Sequence, residues 1–149
     1  MCLIVTMTAP AAERERFEAA CAGAAARSGL HVRVEHAPRW PWARKKPVRA
    51  FVSEDGTCAC SLLRDDADAD AGVWVMRDDV LEPLGEAIGY VALHGPEDLG
   101  VEALWAGETA SQNVSVTPAE LVAQARCSAL GTQTRYVVRR TAMKNRNPS

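Results

Sequence analysis

Apolar and polar positions recur along this chain with two periods. Cys2 to Met7 is a β-branched apolar run, the pattern of a buried strand. Thr8 followed by Pro10 reads as a helix start. Phe17, Ala20, Cys21 and Ala24 then fall on one helical face as far as Ser28, with Glu13 to Arg16 and Glu18 on the solvated side. Gly29 is the expected terminator. Leu30 to Glu35 alternates Leu30, Val32 and Val34 with His31, Arg33 and Glu35, a half-buried strand. Strand, helix and strand of these lengths form a βαβ unit whose strands should run parallel.

Ala37 to Pro47 interrupts the pattern with prolines and basic residues, and Val48 to Ser53 resumes as a strand. Asp55-Gly56 is a hairpin signal, with Thr57 to Leu63 as the returning strand. An acidic loop covers Arg64 to Gly72, and Val73 to Met76 is a short strand. A second helix is predicted from Asp79, capped with Glu82. Pro83 is tolerable in its first turn, and Val80, Leu84, Ile88 and Val91 form the buried stripe up to Gly95-Pro96. Val101 to Trp105 is a strand and Gly107 to Ser115 a polar loop. Thr117-Pro118-Ala119-Glu120 is the strongest helix start in the chain, for a helix reaching Leu130. Thr134 to Arg139 is the last strand. The predicted class is α+β, a mixed sheet with about three helices mainly on one face. A ferredoxin-like arrangement with additions is one specific expectation. Residues 1–140 are expected to form one domain, and 141–149 a loose polar tail.

Composition narrows the function classes. With 149 residues, 48% hydrophobic and 24% charged, the chain can bury a core without staples. A net charge of −2 argues against nucleic-acid binding through the whole-molecule field, though not through a local patch. The apolar runs are too short to span a bilayer, and the first residues lack the pattern of a signal peptide. Five cysteines at 2, 21, 58, 60 and 127 show no disulfide framework. A cytoplasmic location with reduced thiols is the expectation.

Four segments are candidates for chemistry. The first is Arg39-Trp40-Pro41-Trp42-Ala43-Arg44-Lys45-Lys46, which with Arg49 carries five cations, two indoles and no acid. Exposed, it suits an acidic protein partner, phosphates or an acidic membrane surface. The bland alternative is a long hairpin loop with its tryptophans folded onto the core. The second is Cys58-Ala59-Cys60, whose thiols on a strand would share a face and hold a soft metal or exchange with a disulfide. A zinc site would need two more ligands, from Cys127, Cys21, His31, His36 or His94, none at ligand spacing. The bland alternative is that cysteine is a small core hydrophobe. The third, Asp66-Ala67-Asp68-Ala69-Asp70, departs from a calcium loop at Gly72 and Arg77. It reads as a solvated loop, or as a counterpart to the basic loop of another copy, which would favour homo-oligomers. The fourth, Glu108 to Asn113, is a polar strand-to-helix loop with no phosphate fingerprint or nucleophile elbow.

The leading expectation is a small binding module. It uses Arg39, Trp40, Trp42, Arg44, Lys45, Lys46 and Arg49, with a protein as the favoured partner and nucleic acid second. Thiol-based metal handling or redox chemistry at Cys58 and Cys60 is the alternative. An enzyme ranks last because no reaction is singled out. No cofactor is predicted.

Overall fold

The structure, a computed structural model, describes residues 3–56, 59–63, 76–105, 107–126 and 134–139. Its strands are β1 (Leu3–Ala9), β2 (His31–Val34), β3 (Val48–Ser53), β4 (Leu99–Trp105), β5 (Gln112–Val116) and β6 (Thr134–Val138). Its helices are α1 (Arg14–Ser28), α2 (Asp78–His94) and α3 (Pro118–Arg126). The strands form one mixed sheet in the order β2-β3-β1-β4-β6-β5. Every neighbouring pair is antiparallel except β5 and β6. The α+β class is therefore as the sequence predicts. β1 and β2 run in the same direction, but they are not neighbours. β3 lies between them, antiparallel to both, so the βαβ unit is split.

Side chains in a strand alternate between faces, and the sheet keeps that division across its width. Val5, Met7 and Ala9 share one face with Val48, Ala50 and Val52, with Leu99, Val101 and Ala103, and with Tyr136 and Val138; all are buried. The helices contribute Phe17, Ala20, Cys21 and Ala24, then Val80, Leu81, Leu84, Ala87, Ile88, Val91 and Ala92, to the same core cluster. The buried stripes of α1 and α2 are those that the periodicity predicts. α1 and α2 approach closely because Gly23 has no side chain. The Tyr90 ring occupies the space where its Cβ would stand, and Arg27 lies 4.8 Å from the centroid of that ring. Gly29 closes α1 with φ 79°, where a side chain would be strained.

Several boundaries move. Thr8 belongs to β1, where pairing with Arg49 and Gly100 outweighs the local helix signal; a 3-10 turn at Ala11–Glu13 precedes α1 instead. Of the segment predicted to return as a strand, Thr57 to Leu63, Ala59–Leu62 is a 3-10 turn, and residues 57 and 58 lie outside the described residues. Gly56 does turn the chain, donating its amide to Ser53 Oγ at 2.9 Å. α2 begins at Asp78 with Arg77 as its cap residue and no side-chain cap bond, so the Asp79–Glu82 box does not form. Pro83 accordingly lies in the second turn. Arg77 instead ties Glu54, Asp79 and the Ser61 carbonyl together. Gln112–Val116, predicted as loop, pairs with β6 as an edge strand. The predicted strand at 73–76 lies outside the described residues except Met76, which bridges to Leu63. Residues 127–130 and the tail 141–149 also lie outside them.

The box at the start of α3 forms as predicted. The Thr117 amide donates to Glu120 Oε1 at 3.0 Å, and the Glu120 amide to Thr117 Oγ1 at 3.1 Å. Thr117→Ala should lower stability by about 1 kcal/mol, while Thr117→Ser should be nearly neutral. Ile88→Ala, in the centre of the core, should cost about 2–5 kcal/mol. Urea unfolding midpoints at unchanged slope check all three.

Candidate functional site

The chain between β2 and β3 carries the basic, tryptophan-bearing segment. Pro41–Lys45 forms a 3-10 turn, since Pro41 pre-sets the first φ and two short-range bonds close it: Ala43 amide to Trp40 carbonyl at 3.0 Å, Lys46 amide to Ala43 carbonyl at 3.2 Å. The Arg44 guanidinium donates to the Pro38 carbonyl at 3.1 Å and braces the turn. Trp40 and Trp42 are 65% and 66% exposed, so neither indole folds back onto the core. The Lys46 ammonium lies 5.7 Å from the centroid of the Trp42 ring. Arg39, Arg44, Lys45 and Lys46, in the same segment, are all exposed.

Arg49 stands apart from that group. It lies on β3, on the sheet face opposite the helices, and forms a bidentate pair with Glu35 at 3.1 and 2.8 Å. The hydrogen-bonded Glu35 carboxylate holds its pKa above the usual arginine value; burial opposes this, and the charges of Glu35 and Glu102 add to it. Arg49 also lies near the Phe51 ring, as does Arg33, with guanidinium carbons 5.6 and 5.1 Å from the ring centroid.

That face holds a second feature, which sequence reasoning missed. Ile4, Thr6 and Thr8 of β1, Arg49 and Phe51 of β3, and Glu102 and Leu104 of β4 floor a cleft of about 300 Å³. Residues 107–110 of the β4–β5 connection form one wall. Across the sheet Thr8 pairs with Arg49 on one side and Gly100 on the other, and Thr6 with Phe51 and Glu102. Arg135 is opposite Glu102 and donates to it at 3.2 Å. A side chain on Gly100 would collide with the Arg135 guanidinium, so glycine there lets the arginine lie flat over the strand. Thr8 is only 8% exposed, and its Oγ1 has no hydrogen-bond partner among the described residues. Alternation within each strand places these residues on the polar face; nothing local in the sequence shows that β1, β3 and β4 are adjacent.

The thiol candidates divide. Cys60 lies in the 3-10 turn, half-buried against the core, so the strand that would align it with Cys58 is absent. Cys58 and Cys127 lie outside the described residues, as do Asp66, Asp68 and Asp70. Among the described residues no three acid, histidine or cysteine side chains cluster as metal ligands. Cys21 is 1% exposed, and burial, with the nearby Glu18 charge adding, pushes its thiol pKa up to about 12. Glu108 and Thr109 line the cleft, while Gln112 and Asn113 sit on the edge strand β5. No protein family, curated protein or solved structure matches the chain.

The raised Cys21 pKa has a pH signature. An unfolded cysteine ionises near 9 while the folded one stays protonated, so unfolding releases a proton between pH 9 and 12. The contribution of this thiol is nil below pH 9 and lowers stability above it, by about 1.4 kcal/mol per pH unit for one proton. Cys21→Ala should unfold with a shallower pH slope above pH 9 than the parent, measured by urea midpoints from pH 8 to 10.

Proposed function

We propose that the protein is a binding module whose contact surface is the Arg39–Lys46 turn, and that its partner is an acidic protein segment with apolar side chains. The observation that carries this reading is the exposure of both indoles on a turn braced by its own hydrogen bonds. An exposed tryptophan forgoes about 1.5–3 kcal/mol of burial that a partner would restore. Four exposed cations share the segment with the rings, and no acid lies between Glu35 and Glu54 in the sequence to neutralise them. Tryptophan and arginine dominate the energetics of protein interfaces. A protein is favoured over nucleic acid because the whole chain carries a charge of −2, which opposes a polyanion beyond the patch itself. Arg49, exposed on β3 and paired with Glu35, adds its positive charge to the turn's field.

A cytoplasmic setting fits this reading, and among the described residues no helix is long and apolar enough to cross a membrane. The order β1-α1-β2-β3-α2-β4 supports a ferredoxin-like reading of the first four strands, with β5-α3-β6 as the addition. In that frame the turn is the β2–β3 connection, at one end of the sheet.

The test is fluorescence anisotropy with a labelled 15-residue peptide mixing glutamate with leucine and phenylalanine, against a single-stranded DNA 15-mer. The peptide should bind, with affinity falling as salt rises. Trp42→Ala with Lys45→Glu should weaken it at least tenfold, about 1.4 kcal/mol, with unchanged circular dichroism. Tighter binding of the DNA, or a double variant that binds the peptide as the parent does, would overturn the proposal.

A further inference from the structure

We infer that the cleft on the open sheet face binds a small zwitterion with an apolar side chain, a molecule of the amino-acid class. The volume of about 300 Å³ is at the small end of ligand sites, which span roughly 300–1,000 Å³. Its polar groups are of opposite sign on opposite sides: Arg49 on β3 and Glu102 on β4, with β1 between them. Arg49 commits Nε and Nη2 to Glu35, leaving Nη1 without an acceptor among the described residues. Glu102 accepts from Arg135 through Oε1, and Oε2 accepts no bond among the described residues. One donor and one acceptor are therefore uncommitted on two residues that line the same cleft.

Thr8 supplies the third polar group. It is more than nine-tenths buried, lines the cleft, and its Oγ1 is unpartnered among the described residues. Buried hydroxyls are nearly always hydrogen-bonded. A carboxylate accepting from Arg49 Nη1 and, after a small side-chain rearrangement that exposes the buried hydroxyl, from Thr8 Oγ1 removes that deficit. An ammonium donates to Glu102 Oε2. Ile4, Phe51 and Leu104 receive the apolar side chain. A simple anion would leave Glu102 Oε2 without a donor, and a simple cation would leave Arg49 Nη1 without an acceptor. A neutral hydrocarbon would leave all three polar groups unpaired. Only a molecule carrying both charges meets the whole set.

Isothermal titration calorimetry of the full chain tests this with L-leucine, L-isoleucine and L-phenylalanine, and with two truncated probes, 4-methylpentanoate and 3-methylbutylamine. At least one amino acid should bind, and each truncated probe should bind at least tenfold more weakly than leucine. Glu102→Gln should narrow the gap between leucine and 4-methylpentanoate. Thr8→Val, checked for folding by circular dichroism, should weaken the amino acid several-fold. The Trp42→Ala, Lys45→Glu variant should bind it as the parent does, which separates this site from the turn. No heat with any amino acid at millimolar concentration, or truncated probes that equal leucine, would overturn the inference. Both of those outcomes are read on the parent chain, so neither depends on a variant folding.

Discussion

Hydrogen bonding of β1 along both of its edges is the constraint on which the rest of the molecule depends. β3 pairs with it on one side and β4 on the other, so its register sets theirs. A slip of one residue would turn Val5, Met7 and Ala9 toward the open face and carry Ile4, Thr6 and Thr8 into the core. The apolar positions of α1 and α2 hold the register, because the buried face of β1 is the only one that matches theirs. The same pairing brings Arg49, Thr8 and Gly100 into one row and Phe51, Thr6, Glu102 and Arg135 into the next. Core and cleft are thus two faces of one set of hydrogen bonds.

The two proposed surfaces differ in physical character. The turn at Arg39–Lys46 is convex, exposed and rich in positive charge, and its shape comes from local bonds. It suits a large partner that brings its own complementary surface. The cleft is concave, partly apolar and lined by charges of both signs, and its floor is assembled from three strands far apart in sequence. It suits a small molecule. Arg49 marks the boundary between them: by sequence it extends the basic run, yet its side chain is paired with Glu35 on the sheet.

Much of the fold was legible because its signals are local. The faces of α1 and α2 follow from spacing alone, Gly29 from its place after an apolar stripe, and the Thr117–Glu120 box from residues three apart. Local signals misled where they met a stronger distant partner. Thr8 resembles a helix cap, but two neighbouring strands claim its backbone. Gln112–Val116 resembles a loop until β6 pairs with it. Asp79 and Glu82 have box spacing, but Arg77 takes the Asp79 carboxylate.

The sequence by itself determined the α+β class, the helix faces and the basic turn, since each rests on residues within a few positions of one another. Only the tertiary structure decided that the tryptophans of that turn are exposed, that Arg49 pairs with Glu35 on the sheet, and that Arg49, Thr8 and Glu102 line one cleft. Exposure and strand order depend on which distant segments pack together. That choice is made by the summed burial of the whole core and leaves no mark at any single position.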